Sequence, residues 1–597
     1  MSEIRLRIES LKDELIGFCI SNSLSEEGLR EIIKRHGLTP NDSNVSDYKF
    51  FRLACHNKRV TEGIIRCLLE YFPAAASATC KEGWTPLHHA CYNKNMTLNI
   101  IQLLIDAAPD SVCSVNRRGW MPLHYLCYKK NLDETAAIEI SKLLIEKCPE
   151  ALRHANNNGS LPIHLACVRR SPAFCQVLVD AAPDSVRSVD DDGWTPIHTL
   201  CDNPEVDEAT AILVLKLLME KHPDAVRHAD RGGSLPIHYA AKTKSPEFCR
   251  VLIDAYPGSE QIPEVKGTLP LHWACYKGSL PTVEYLYRLF PVAIGRENIE
   301  GLYPIHMAIG LFERSNPEDA VEIVKFLLNY DPNQKLIRFR GNSLLRVACG
   351  QQYNNSNIEA GVAALEVIKV LFDAHPEAIE DNRIATGIQR FHPRVRTFIN
   401  RELVYSRQAK DLRLMVTPDS KGQLPLHTAL QNNVRLGSIK LLVKGNPAAL
   451  LSLDSSGALP LHIACQHHDY TDVVHYLVEL DTTTLGALDR NGNTALHCAC
   501  RGGKNDTITL LLEKYNAVSV SKRNDQEKLP IELLWESNAV EDNGSLKYTE
   551  SVFRLLRSYP EMVAINNLAL EQPIDVDQMR NVKKRKLDLD DEEETPS

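Results

Sequence analysis

The chain has no apolar run that approaches the length of a membrane span, so a bilayer-crossing helix is not expected. Its first residues, MSEIRLRIESLKDELIGF, are charged throughout and lack the apolar core of a signal peptide. There is no excess of basic charge. Lys and Arg number 68 against 77 Asp and Glu, for a net charge of −9. That argues against nucleic-acid binding by the whole surface and leaves only a local basic patch open. No phosphate-cradling glycine loop, kinase signature, Gly-x-Ser-x-Gly elbow or His-Glu-x-x-His pair occurs. His467, His468 and Asp469 do not complete an Asp-His-His-Cys acyltransferase motif. The expectation is a chain that is not an enzyme and needs no cofactor. Cysteine, by contrast, is plentiful. Seventeen residues, an odd number without a signal peptide, read as reduced thiols of cytosol or nucleus.

What the chain does have is repetition. Gly83–Cys91 reads GWTPLHHAC, and the nonamer returns at Gly119, Gly159, Gly193, Gly233, Gly267, Gly301, Gly422, Gly457 and Gly492. Asp47–Cys55, Gly341–Cys349 and Glu527–Glu532 are degenerate copies, giving about thirteen units. Within the regular runs successive glycines are 34 to 40 residues apart. The 40-residue units carry extra acidic residues between their helices, as in 131–135 and Pro204–Glu208, which read as solvated loop. At 597 residues the chain exceeds one compact core, and a stacked array accounts for that length.

Each unit has a physical logic. Gly83 supplies the turn conformation. Thr85 stands at the N-cap, and Pro86 follows at the first helical position, where its missing N–H costs nothing. Leu87, Ala90 and Cys91 share one face of a short helix. Ile100, Ile101, Leu104 and Ile105 then recur at helical spacing. Pro109 ends that second helix, and an extended link over Ser111–Asn116 leads to the next glycine. No unit buries its apolar face alone, so neighbours must stack.

Gly-x-Thr-Pro-Leu-His-x-Ala-Cys, a second leucine-rich helix and Asp-x-x-Gly at this period resemble the ankyrin repeat over roughly residues 46–535. The Pro-(Asp/Glu)-Ala pattern after the second helix and the insert RTFINRELVY at Arg396–Tyr405 are similar to the large ankyrin proteins of diatoms. The resemblance implies an all-α repeat solenoid of stacked helix-turn-helix units with short hairpin fingers. The expected organisation is a helical N-terminal cap (1–45) and repeats (46–349). A decayed repeat helix with a basic helical insert (350–421) follows, then repeats with a C-terminal cap (422–570) and a disordered charged tail (571–597). Where Leu161, Leu235, Leu269, Leu424 and Leu459 replace Thr, the helices are expected to lose their hydroxyl cap and gain an apolar contact.

Several features could carry chemistry or contacts. His-x-x-Cys recurs, for example at His88/Cys91, His272/Cys275 and His497/Cys500. A metal site needs four convergent ligands, whereas stacking holds these pairs a repeat apart, so no metal is expected. Between Arg383 and Arg413 eight basic residues face two acidic ones; this reads as a docking surface for an acidic partner or as a solvated helix face. Helix is expected from Arg394 to Met415. Lys583, Lys584, Arg585 and Lys586 resemble a nuclear import signal.

Ankyrin ligands are usually proteins held on finger tips and first helices. Carried over residue by residue, that surface holds Arg117, Arg118, Asp191 and Asp192 before the glycine and Trp84, Trp120 and Trp194 just after it. Tyr92, Tyr128 and Tyr276 follow the Ala-Cys or Leu-Cys pair. Trp, Tyr and Arg are enriched at interface hot spots, although a Trp here could equally stiffen the array by packing across a neighbouring finger. The expectation is a scaffold that is monomeric by itself, binds a protein partner over residues 80–280, and works in cytoplasm, nucleus or both. A nuclear regulator of transcription or signalling, and a specificity subunit of an enzyme complex, are the alternatives.

Overall fold

The computed structural model describes residues 2–39, 48–130, 132–310, 318–350, 358–515, 518–537 and 546–558. The basic tetramer, the charged tail and the chain beyond Ser558 lie outside the described residues. The chain forms two compact units, Met1–Val370 and Leu371–Ser597. Their border falls inside the helix Ile358–Ala374. The fold is an all-α repeat solenoid. Among the described residues the one β-ladder is a hairpin of Arg338–Phe339 with Asn342–Ser343.

In the first unit the pattern is clearest at Pro86–Tyr92 and Leu98–Ala107. Thr85 and Thr97 cap the two helices by accepting from the N–H groups of His88 and Ile100, each at 3.4 Å. Leu87, Ala90 and Cys91 on one helix, and Ile100, Ile101, Leu104 and Ile105 on the other, are buried. Each such aliphatic contributes about 1.5–3 kcal/mol on burial, but only if a neighbouring pair covers it. The chain does not run extended directly after the second helix, as expected. Pro109–Cys113 forms a tight 3-10 turn. Pro109 sets its φ, and Ser111 bonds back to the Ala108 carbonyl through both its N–H and its hydroxyl.

The long repeats also differ from expectation. Asp133 and Asp207 are not loop residues in solvent. Each caps a second helix by accepting from Ala136 N–H (2.8 Å) and Thr210 N–H (2.9 Å). Those helices, Glu134–Lys147 and Glu208–Lys221, have 14 residues, where Leu98–Ala107 has 10. Most of the insertion is therefore one extra helical turn, begun where an Asp satisfies the free N–H groups.

The fingers are joined by main chain. Arg117 N–H donates to the Glu82 carbonyl at 3.0 Å, Asn157 to Arg118 at 3.1 Å and Asp191 to Asn158 at 3.0 Å. Within a finger, Asn116 Oδ1 accepts from the Arg118 and Trp120 N–H groups. Side-chain brackets join the helices behind. Asn93 Nδ2 donates to the carbonyls of Cys55 and Asn57, and Asn57 Nδ2 donates in the same way to Cys19 and Ser21. The N-terminal helices Ser2–Ile20 and Glu26–Arg35 thus meet the next pair through the bracket that repeats use.

In the second unit the basic insert is two helices rather than one. Pro393–Lys410 ends at Asp411, which caps Leu412–Val416 by accepting from the Arg413 and Leu414 N–H groups. Val395, Phe398 and Ile399 are buried. So is Glu402, which pairs with Arg401 at 2.7 Å and accepts from the Ser438 hydroxyl at 2.5 Å. Further turns of helix follow at Pro425–Gln431 with Leu436–Gly445 and at Pro460–His467 with Thr471–Leu480.

The reading of every cysteine as a reduced thiol is corrected at one pair. Cys113 and Cys148, at the ends of successive second helices, form a disulfide. The other fifteen are free, and all but Cys80 are buried. Burial pushes thiols such as Cys19 and Cys349 up to about 12, so they stay protonated and pack as small apolar groups.

Candidate protein-interaction surface

The His of the nonamer is a structural linker. In the second repeat the Thr85 N–H donates to His88 Nδ1 at 3.1 Å. Because Nδ1 accepts, the ring proton sits on Nε2, which donates to the Trp120 carbonyl of the next repeat at 3.0 Å. His164, His198, His272, His427, His462 and His497 reach across to the next unit in the same way. The same bond corrects the expectation at the leucine-substituted caps. Leu161 is buried, yet its N–H is still capped by His164 Nδ1 at 3.1 Å. His therefore replaces the missing hydroxyl as the partner of the helix start. Both ring nitrogens are committed. Among the described residues the one grouping with ligand-like spacing is Cys113, Cys148 and Glu150, none of them in a His-x-x-Cys pair.

The flanks of the nonamer assemble an aromatic surface. Trp84, half-buried, lies against Tyr125 of the following repeat, with centroids 4.2 Å apart, and against His89 at 4.8 Å. Tyr92 meets Trp84 and Tyr125 edge-on at 6.2 and 6.0 Å and stacks on His56 at 6.1 Å. Trp120 packs on Tyr125 at 4.7 Å and edge-on to Tyr128 at 5.4 Å. Tyr128 is 40% exposed. Four of the residues singled out by sequence, Trp84, Tyr92, Trp120 and Tyr128, are thus brought into one continuous cluster. Trp194 belongs to a separate contact, with Tyr239 at 4.7 Å, and Tyr276 to another, edge-on to Trp273 at 5.9 Å. Arg117, Arg118, Asp191 and Asp192 are exposed at finger tips.

The sequence reading passed over Tyr125, which is 4% exposed and holds the cluster together. Its hydroxyl accepts from Asn116 Nδ2 at 2.7 Å, and burial pushes its phenol up to about 12. The signal was available. The residue after the nonamer His is aromatic in five copies, at His89, Tyr125, Tyr239, Trp273 and, one unit back in register, His56 at the end of its helix.

A row of cations, also missed, borders the aromatics. Tyr92, Lys94, Tyr128, Lys129, Lys130 and Arg169 line a cavity of about 240 Å³. Lys129 Nζ lies 3.9 Å from the Tyr92 ring centroid, and the Arg169 guanidinium 5.3 Å from that of Tyr128. Lys130 and Arg169 share one carboxylate oxygen of Glu205, at 2.5 and 2.9 Å. These two cations, Lys130 first, hold the Glu205 carboxyl below its usual range.

Comparison with known proteins agrees with this architecture. A family profile described as ankyrin repeats (3 copies) matches residues 51–150, 94–187, 211–298, 402–485 and 426–524, together more than half of the chain. No curated protein sequence matches. Among solved structures, the ankyrin repeat domain of Bcl-3, described as a unique member of the IkappaB protein family, is 23% identical. The match covers 38% of this chain and 95% of that one, with a TM-score of 0.30.

Proposed function

The chain belongs to the ankyrin-repeat family, and on that premise we propose that it is a non-enzymatic scaffold holding a protein partner on the first helices and fingers of residues 80–280. Ankyrin repeats in general mediate protein–protein interaction. The observation that carries the finer reading is the continuous run of Trp84, Tyr92, Trp120 and Tyr128, half-buried or exposed and fixed by Tyr125. Rigid aromatic area that is already ordered loses little entropy on binding. Trp194 and Tyr276 extend the surface as separate contacts. The test is capture of partners by the full chain and by the triple variant Trp84→Ala, Trp120→Ala, Trp194→Ala. The variant should keep its helical circular dichroism and lose the partners that wild type retains. Undiminished capture of the same proteins would remove the assignment of this surface.

The tetramer Lys583–Lys586 favours a second element of the reading, entry into the nucleus. Deleting 583–586 and imaging the tagged chain tests it; an unchanged distribution would sink it.

A further inference from the structure

We propose that the cavity between Tyr92 and Tyr128 receives a carboxylate side chain from an Asp/Glu-rich peptide segment of the partner. This deepens the scaffold reading and rests on it. The argument is one of charge and geometry. Four cations, Lys94, Lys129, Lys130 and Arg169, converge on one cavity of about 240 Å³ in a chain whose net charge is −9. One carboxylate, Glu205, answers two of them. Among the described residues neither Lys94 nor Lys129 meets a carboxylate. Arg169 adds a second mark of an unfilled site: its Nε is buried with no hydrogen-bond partner among the described residues. A guanidinium with an unused N–H beside a bound carboxylate is suited to a second carboxylate.

The pocket walls bear on the kind of ligand. The faces of Tyr92 and Tyr128 are occupied by Lys129 and Arg169, so the rings hold the cations in place rather than offering a bare apolar slot. The row also continues beyond the cavity. Lys58 and Arg59, exposed, occupy the corresponding place one repeat earlier, after the helix Lys49–His56. A single small anion would use one repeat, whereas an extended acidic segment can follow the row. Elsewhere the chain has more acidic than basic residues, so the row also sets where such a segment is attracted.

The test uses the full chain and a fluorescein-labelled twelve-residue peptide alternating Glu with Gly and Ser. Two control peptides replace every Glu by Gln or by phosphoserine. Fluorescence anisotropy should show binding of the Glu peptide at least tenfold tighter than the Gln peptide, weakening about tenfold between 50 and 300 mM salt. Lys94→Glu with Lys129→Glu, and separately Arg169→Gln, should each reduce affinity at least tenfold while circular dichroism is unchanged. Equal binding of the Gln peptide would overturn the proposal, as would undiminished binding by the charge variants or binding of the phosphoserine peptide alone. The outcome is separable from that of the scaffold reading. Partner capture that survives Lys94→Glu/Lys129→Glu but not the triple tryptophan variant would refute the pocket and leave the aromatic surface standing.

Discussion

At Glu527 the backbone takes φ 59°, in the left-handed region where the regular repeats place Gly83, Gly159 or Gly492. A side chain there meets its own carbonyl, a strain of about 1–2 kcal/mol that glycine escapes. Glu527→Gly should therefore stabilise the second unit by roughly 1 kcal/mol, the entropy of a more flexible unfolded chain offsetting the rest. The reverse change is worse where fingers touch. A Cβ on Gly159 would stand 2.6 Å from the Asp191 nitrogen and 2.9 Å from the Asp190 Cα. Both neighbours are backbone and cannot swing aside. Gly159→Ala should cost about 2 kcal/mol or more. Urea unfolding of the two variants reads both signs; a neutral Gly159→Ala would mean that the fingers are not held at this spacing. The glycine spacing was legible because one backbone conformation selects one residue type. Tyr125 was not, since an aromatic at that position signals contact only once the neighbouring Trp is in place.

At the scale of the element, first helices were readable from Pro and His, because both act through local backbone geometry. The lengths of the second helices were not. Asp133 and Asp207 look like loop residues until the free N–H groups they satisfy are seen. Asp411 likewise divides a pattern that reads as one continuous helix. His272 shows how elements are tied together. It is buried, accepts from Leu269 N–H at 3.2 Å and donates to the Leu302 carbonyl of the next repeat at 3.2 Å. His272→Ala leaves both backbone groups buried without that partner, and each orphan costs about 1–3 kcal/mol. The expected loss is about 3 kcal/mol in urea unfolding, with faster hydrogen exchange at the Leu269 amide. A loss with no change in that amide's exchange would place the cost in the cavity alone and contradict the linking role.

Over the whole first unit these histidines add up to a pH dependence. Burial lowers His88, His198, His272 and His306 from an ordinary value of 6.5 to about 4, and His89 and His124 to about 3. The folded unit thus keeps six rings neutral at pH values where the unfolded chain protonates them. Below pH 6.5 the unfolded state binds more protons, so stability falls as pH falls, down to about pH 4, where folded rings begin to protonate. Each such ring contributes a slope approaching about 1.4 kcal/mol per pH unit. Carboxylates held low by their partners, such as Glu14 beside His36 and Asp184 beside Arg153, add to the loss only nearer pH 4, so a decline that begins at pH 6.5 belongs to the rings. Thermal melts of the full chain at pH 7.5, 6.5, 5.5 and 4.5 should show a midpoint that is level between the first two and drops steeply through the last two. Substituting His272 by Gln, which can accept and donate but does not titrate, should reduce the slope below pH 6.5. A midpoint that stays level to pH 4.5, or a slope that His272→Gln leaves unchanged, would mean that these rings are not held neutral by stacking. The neutral Nε2–H form would then not be what joins one repeat to the next.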